Sequence, residues 1–226
     1  MRVQGRGVSA ERPHPEPAAH GAELSTGIDG ARVVSFSDSV FAFAATLLVL
    51  SIDVPKSGSG LGDALLAEAP NLFAYALSFG VLGNFWIDHH KLFGRLAEID
   101  GTTLWLTLLY LALIALVPFS CELIGEHGDT AVGVSVYGTN MVAVPLVFGV
   151  LCRRAVSRDV IAGGKQAREE IEATAFGGFL LATVFAVSIP LAILVSPEVA
   201  TYSYLALFVV IPVAGRLRDR VRAARV

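Results

Sequence analysis

Arg32-Val33-Val34-Ser35-Phe36-Ser37-Asp38-Ser39-Val40-Phe41-Ala42-Phe43-Ala44-Ala45-Thr46-Leu47-Leu48-Val49-Leu50-Ser51-Ile52-Asp53 is the stretch that decides the fold. It opens on a charged, hydroxylated turn, runs through an apolar segment of roughly the ~20 residues a bilayer crossing needs, and ends on an acid. Asp29 stands where an N-cap is needed. A carboxylate on such a helix is costly in hydrocarbon, so Asp38 requires a partner or a function. At about 100° per residue, Phe43, Leu47 and Leu50 fall on one stripe with Thr46 beside it. The same stripe continues through Ser39, Phe36 and Arg32, while Ser37 and Asp38 point away from it. From the wheel alone the stripe is either a packing or lipid-facing surface, or the wall of an ion pathway built from several copies of this helix.

Outside this stretch the composition agrees with a membrane protein. Hydrophobic residues make up 54% of the 226 positions and charged residues only 16%, too few charges for the surface of a soluble domain of this length. The apolar residues fall in blocks separated by short charged loops, at about 64–88, 102–121, 130–152, 173–195 and 199–215 after the first. Pro118, Pro145, Pro190 and Pro212 lie late in or inside four of these blocks. Membrane helices tolerate such prolines when neighbours satisfy the freed carbonyls. The second block carries Asn71, Asn84 and Asp88 and is therefore expected to be covered by protein. The sequence thus predicts an all-α integral membrane protein with six transmembrane helices. A disordered tail is expected over 1–27, the six-helix domain over 28–216 and a basic tail over 217–226. Residues 1–27 contain no apolar run of the kind a secretory signal needs.

Charge fixes the orientation. Arg2, Arg6, Arg12 and Arg32 precede the first helix; Lys91 and Arg95 follow the second; Arg153, Arg154, Arg158, Lys165 and Arg168 follow the fourth; five further arginines follow the sixth. The alternate loops hold only Lys56 against Asp53, Asp63, Glu68, Glu122, Glu126, Asp129 and Glu198. By the positive-inside rule both termini are cytoplasmic, which requires an even number of spans. The acidic outer loops would concentrate cations there, or are simply ordinary loop polarity. The 153–172 stretch reads as a solvated connection, and the C-terminal arginines as a contact with anionic headgroups. Nothing points to nucleic acid.

Asp38 and Arg32 are six residues apart, awkward for a pair within one helix, so Asp38 is expected to reach a neighbour. The candidates lie in Asn84-Phe85-Trp86-Ile87-Asp88-His89-His90-Lys91-Leu92-Phe93, at the same cytoplasmic level. His89 and His90 point about 100° apart, so one can meet Asp38 while the other faces headgroups. A structural hydrogen-bond cluster, a pH-sensitive network and a metal site are all open on these residue types. The metal reading lacks a third or fourth ligand in register, and Cys121 and Cys152 have no zinc-type spacing. No cofactor is implied. G-x-S-x-G, H-E-x-x-H and phosphate-binding glycine loops are absent, and adjacent Ser37 and Asp38 point apart, so an enzyme is not expected. The potassium-filter string T-V-G-Y-G is absent too, so any ion selection uses another device.

Arg32-x-x-x-Phe36-Ser37-Asp38, followed by Phe41-Ala42 and Thr46-Leu47-Leu48-Val49-Leu50, resembles the transmembrane-protein-175 family of lysosomal potassium channels and their bacterial relatives. The resemblance continues at Phe85-Trp86-x-x-His89-His90-x-x-Phe93 and at Pro118-Phe119. It implies a bacterial-type homotetramer in the cell membrane, one six-helix unit per chain, with helix one of each subunit around a central pore. It also implies weakly selective potassium permeation through bulky side-chain rings without a carbonyl filter. Carried over by position, the pore lining is Phe43, Thr46, Leu47 and Leu50. The network holding helix one is Arg32, Phe36, Ser37, Asp38, His89, His90 and Trp105. This chain departs from the family pattern at Phe43, where an aliphatic residue is common, and at Thr107, where asparagine is frequent. A proton-conducting or proton-coupled transporter using Asp38 and His89 is the competing expectation, and a non-conducting scaffold a third.

Overall fold

A computed structural model of the chain describes residues 29–52, 62, 66, 68–207 and most of 209–216. The expected tails at 1–27 and 217–226 and most of the loop after Ile52 lie outside these residues. All regular structure among them is helical.

Helix α1, Gly30–Leu47, starts where Asp29 accepts a hydrogen bond from the Ala31 N–H at 3.0 Å. It passes directly into a 3₁₀ turn, Leu48–Ser51. Val33, Ser37, Phe41, Ala44 and Leu48 form its buried face, the spacing that puts one helical stripe against neighbours. Helix α2, Ala69–Phe93, has proline in its first turn, where a missing N–H costs nothing. Helix α3, Gly101–Ala115, is capped by Asp100, which accepts from the Thr103 N–H at 2.9 Å. Helix α4, Val117–His127, follows after a break at Leu116. The break has a local cause: Pro118 has no N–H to continue the ladder and its ring crowds the preceding turn. The third apolar block is therefore two helices, reaching past its expected end at 121 to His127.

Helix α5, Ala131–Ser157, is capped by Thr130 and contains Pro145. Helix α6, Gly164–Leu194, contains Pro190 and begins nine residues before the fifth apolar block, because its polar first turns lie beyond the apolar part. Gly163 immediately precedes it at φ +102, where a side chain would be strained and a Cβ would meet Ala167 Cβ at 3.0 Å. Helix α7, Pro197–Ser203, leads into a 3₁₀ turn, Tyr204–Ala206, and the described residues from 207 to 216 are again helical.

Among the described residues, α1 with its 3₁₀ turn, α3 with α4, α5 and α6 are each long and apolar enough to cross a membrane. The polar side chains of α2 dilute its hydropathy. α5 and α6 are packed most extensively, antiparallel, with Gly138 so close to α6 that a Cβ there would meet Ile189 Cγ1 at 3.0 Å. α1 packs on α2 and α3, and its 3₁₀ turn on α2 and α4. Tyr137, Phe185 and Tyr204 meet at 5.3–5.8 Å between ring centroids and tie α5, α6 and the C-terminal segment together.

The α2–α3 and α5–α6 connections meet at one end of the bundle. Ala97 N–H donates to the Val160 carbonyl at 2.9 Å and Ala162 N–H to the Arg95 carbonyl at 2.8 Å. Asp100 Oδ2 accepts from Arg154 at 2.6 Å and Arg158 at 2.8 Å, Arg95 pairs with buried Glu170, and Arg168 pairs with Asp159 at 3.1 Å. The stretch read from sequence as a solvated connection is thus a clamp that joins three helices. The start of α1 sits at this same end, with Gly30 against Ile99.

Candidate functional site

The two faces of α1 have different surroundings. Opposite its buried stripe, Arg32, Phe36, Ser39, Phe43, Thr46, Leu47 and Leu50 are all exposed in the single chain. Phe43 and Leu50 keep 70% and 73% of their surface, so their bulk contributes little to the protomer's own core, whereas Leu47 keeps 37% and is mostly covered within the chain. The 3₁₀ turn affects their alignment. Side chains three apart eclipse in that geometry, so entry into the turn at Leu48 carries Leu50 toward the line of Leu47 rather than leaving the pair 60° apart. Thr46 lies on the same exposed side, its hydroxyl donating to the Phe43 carbonyl at 2.8 Å and leaving its own lone pairs outward.

On the flank, Asp38 is half-buried, and its Oδ1 accepts from the Trp86 indole N–H at 2.9 Å. A residue of α2 does take up the Asp38 carboxylate, but it is the tryptophan and not a histidine. Trp86 stands inside the same decapeptide as the histidines. The usable signal was that indole N–H is a donor only and so must find an acceptor. His89 instead is fully buried between aromatic rings, 4.2 Å from Phe93, 5.8 Å from Tyr110 in parallel and 5.6 Å from Phe41. Neither of its ring nitrogens has a hydrogen-bond partner among the described residues. His90 is exposed, its ring 5.6 Å from that of Trp86.

Ser37 is buried and donates back to the Val33 carbonyl at 2.8 Å. Phe36 and Arg32 are exposed, and Trp105 on α3 keeps 74% of its surface. The structure therefore brings Asp38, Trp86, His90 and, one turn inward, His89 together, and leaves Arg32, Phe36 and Trp105 on the outside of the chain. Thr107 is buried, its hydroxyl bonded to the Thr103 carbonyl of its own helix at 2.8 Å. Cys121 and Cys152 are both buried and are not joined in a disulfide. Among the described residues no three His, Cys, Asp or Glu side chains converge as metal ligands would.

The described residues are all helical in their regular structure, and four of their helical stretches are long and apolar enough to cross a membrane, which defines a multi-pass membrane protein. A family model described as endosomal/lysosomal potassium channel TMEM175 matches residues 32–118. A potassium channel of Chamaesiphon minutus is 35% identical over 168 residues, covering 70% of this chain and 83% of that protein. A potassium channel of Streptomyces collinus is 42% identical over 129 residues, 54% of this chain, and the match spans 63% of that protein's length. The human endosomal/lysosomal proton channel TMEM175 is 36% identical over 124 residues, 48% of this chain and 25% of that protein. In fold, the chain is similar to the crystal structure of a lysosomal potassium-selective channel TMEM175 homolog from Chamaesiphon minutus, with TM-score 0.69 and 29% identity over 86% of this chain and 98% of that one. The chain belongs to the TMEM175 family, a family of ion channels and not of enzymes.

Proposed function

We propose that the chain is a cation channel of the cell membrane, conducting potassium with weak preference over sodium through a pore lined by α1 of four identical subunits. The observation that carries this reading is the exposed stripe of Phe43, Thr46, Leu47 and Leu50 on a helix whose opposite face is fully packed. One helix cannot enclose water, but copies related by closed symmetry can. Rings of large apolar side chains around such an axis exclude water, and a dry constriction blocks ions until it widens. Thr46 supplies the one ring of hydroxyl oxygens on this stripe between Phe43 and Leu50. Relatives named as potassium channels support the ion.

In this reading the spans are α1, α2, α3 with α4, α5, α6 and the segment from α7 onward. The clamp end, with its arginines, faces the cytoplasm, and the Asp129 and Glu198 end faces outward. The Asp38–Trp86 contact holds α1 at its cytoplasmic end, making Asp38 an assembly residue rather than a permeation residue. Proton conduction is the second reading, favoured by the human relative, which is named a proton channel. The protein reconstituted in liposomes under a potassium gradient decides. Passive potassium flux that follows the membrane potential is expected. Flux that follows only the proton gradient selects the second reading, and silence with intact tetramers overturns both.

A further inference from the structure

At the end of the bundle away from the arginine clamp, α2, α4, α5 and the α7 segment enclose a cavity of about 480 Å³, and no residue of α1 lines it. The volume lies in the range of small-molecule sites, ~300–1,000 Å³. Leu77, Ile124 and Leu205 give it apolar walls. Its buried hydroxyls are already engaged. Ser78 and Tyr137 share a hydrogen bond at 3.3 Å, the Cys121 thiol donates to Ser78 at 3.2 Å, and Tyr204 and Ser188 share one at 3.1 Å. The interior therefore asks for hydrocarbon and not for a polar group. At the mouth, by contrast, stand two exposed carboxylates, Asp129 and Glu198, and among the described lining residues there is no lysine or arginine.

An apolar chamber behind an anionic rim selects for one chemistry. An anionic amphiphile is repelled at the rim, and a neutral apolar molecule gains nothing there over the surrounding hydrocarbon. A cation with an apolar body satisfies both parts, its charge staying wet between the carboxylates while its hydrocarbon fills the chamber. We propose that this cavity is a binding site for a small amphipathic organic cation, with its charged group between Asp129 and Glu198 and its apolar body against Leu77 and Ile124. The site is separate from the α1 stripe and does not depend on what that stripe does.

The test is calorimetric titration of the full chain in nanodiscs of zwitterionic lipid with hexyltrimethylammonium, and in parallel with hexanesulfonate, which has the same tail and the opposite charge. Saturable binding is expected for the cation alone. Asp129→Asn with Glu198→Gln, two exposed polar exchanges that leave the core untouched, should weaken it about tenfold. Thr201→Trp, which places a large ring in the lining, should abolish it, and Leu47→Ala on α1 should leave it unchanged. Equal binding of both ions, non-saturating partition, full affinity in the double carboxylate variant, or loss of binding in the Leu47 variant would each overturn the proposal.

Discussion

The Trp86–Asp38 hydrogen bond is the sharpest place to perturb the protein. Trp86→Phe keeps an aromatic ring at the position and removes the indole N–H that donates to the carboxylate, 2.9 Å away. A hydrogen bond to an ionised acceptor contributes about 1.5–3 kcal/mol net. Asp38 is only half-buried and Trp86 is exposed in the single chain, so water competes and the contribution falls at or below the bottom of that range, about 1–1.5 kcal/mol. The ring change adds its own packing cost, so the quantity to measure is the coupling in a double-mutant cycle of Trp86→Phe and Asp38→Ala, by reversible unfolding of the full chain in mixed micelles. Asp38→Asn keeps an acceptor but loses the charge assistance, and should cost roughly half as much as losing the bond. If the contact also positions α1 for assembly, both single variants lower the tetramer fraction measured by light scattering. A coupling below about 0.5 kcal/mol, with unchanged assembly, would refute the claim that this bond anchors the helix.

If α1 lines the pore as proposed, Leu47→Ala should raise resting potassium leak in liposomes by widening the ring of Leu47 side chains, and flux equal to wild type removes Leu47 from the constriction. Gly138→Leu should prevent close α5–α6 packing, since even a methyl there meets Ile189 Cγ1 at 3.0 Å and the Phe185 carbonyl at 3.3 Å; Gly138→Ala should cost about 1–3 kcal/mol by thermal unfolding in detergent. The Asp100 carboxyl is held well below its ordinary value of 3.8 by the Thr103 hydroxyl first and then by Arg154. A depressed carboxyl stabilises the fold fully above that ordinary value, and the contribution is lost as pH falls below it. Asp100→Asn should therefore flatten the melting-temperature profile between about pH 2 and 5, and a parallel, undiminished acid slope would show that the clamp does not depend on this charge.

The stripe on the first helix was legible because a 100° wheel needs only sequence order, and each of its residues is on the open side of α1 in the structure. The same wheel could not foresee the 3₁₀ turn at Leu48–Ser51, which α2 and α4 pack against. Block boundaries marked where apolar residues begin, and that is not where a helix begins: α6 starts at Gly164 with a polar, ion-paired first section. The partner of Asp38 was legible to the level of a decapeptide and no further, because choosing between Trp86 and His89 requires the rotation of α2 about its axis. His89 shows the limit in reverse. A titratable side chain invites a polar role on paper, and here it is buried among Phe41, Phe93 and Tyr110. The clamp of Asp100 with Arg154 and Arg158 was hidden for another reason: its partners are more than fifty residues apart, and mixed-sign charge in a loop ordinarily means solvation.

These features divide the chain into a rigid part and a part held more lightly. α5 and α6 are joined by close glycine contacts, by the Tyr137–Phe185–Tyr204 cluster and, at one end, by the ion pairs that also bind the α2–α3 loop. α1 is attached along one face, by Val33, Ser37, Phe41, Ala44 and Leu48, and by the Trp86–Asp38 hydrogen bond to α2. An element fixed along a single apolar stripe can rotate about that stripe by exchanging similar packing contacts, whereas α5 cannot move without breaking directional ones. If the exposed residues of α1 meet around an axis, the moving part of the molecule and the constriction are then the same helix. A bridge locking α1 to α2, such as paired cysteines at Ala45 and Leu82, which line one groove between them, should hold potassium flux at its resting value and release it on reduction. Unchanged flux in the oxidised, cross-linked protein would place the gate elsewhere.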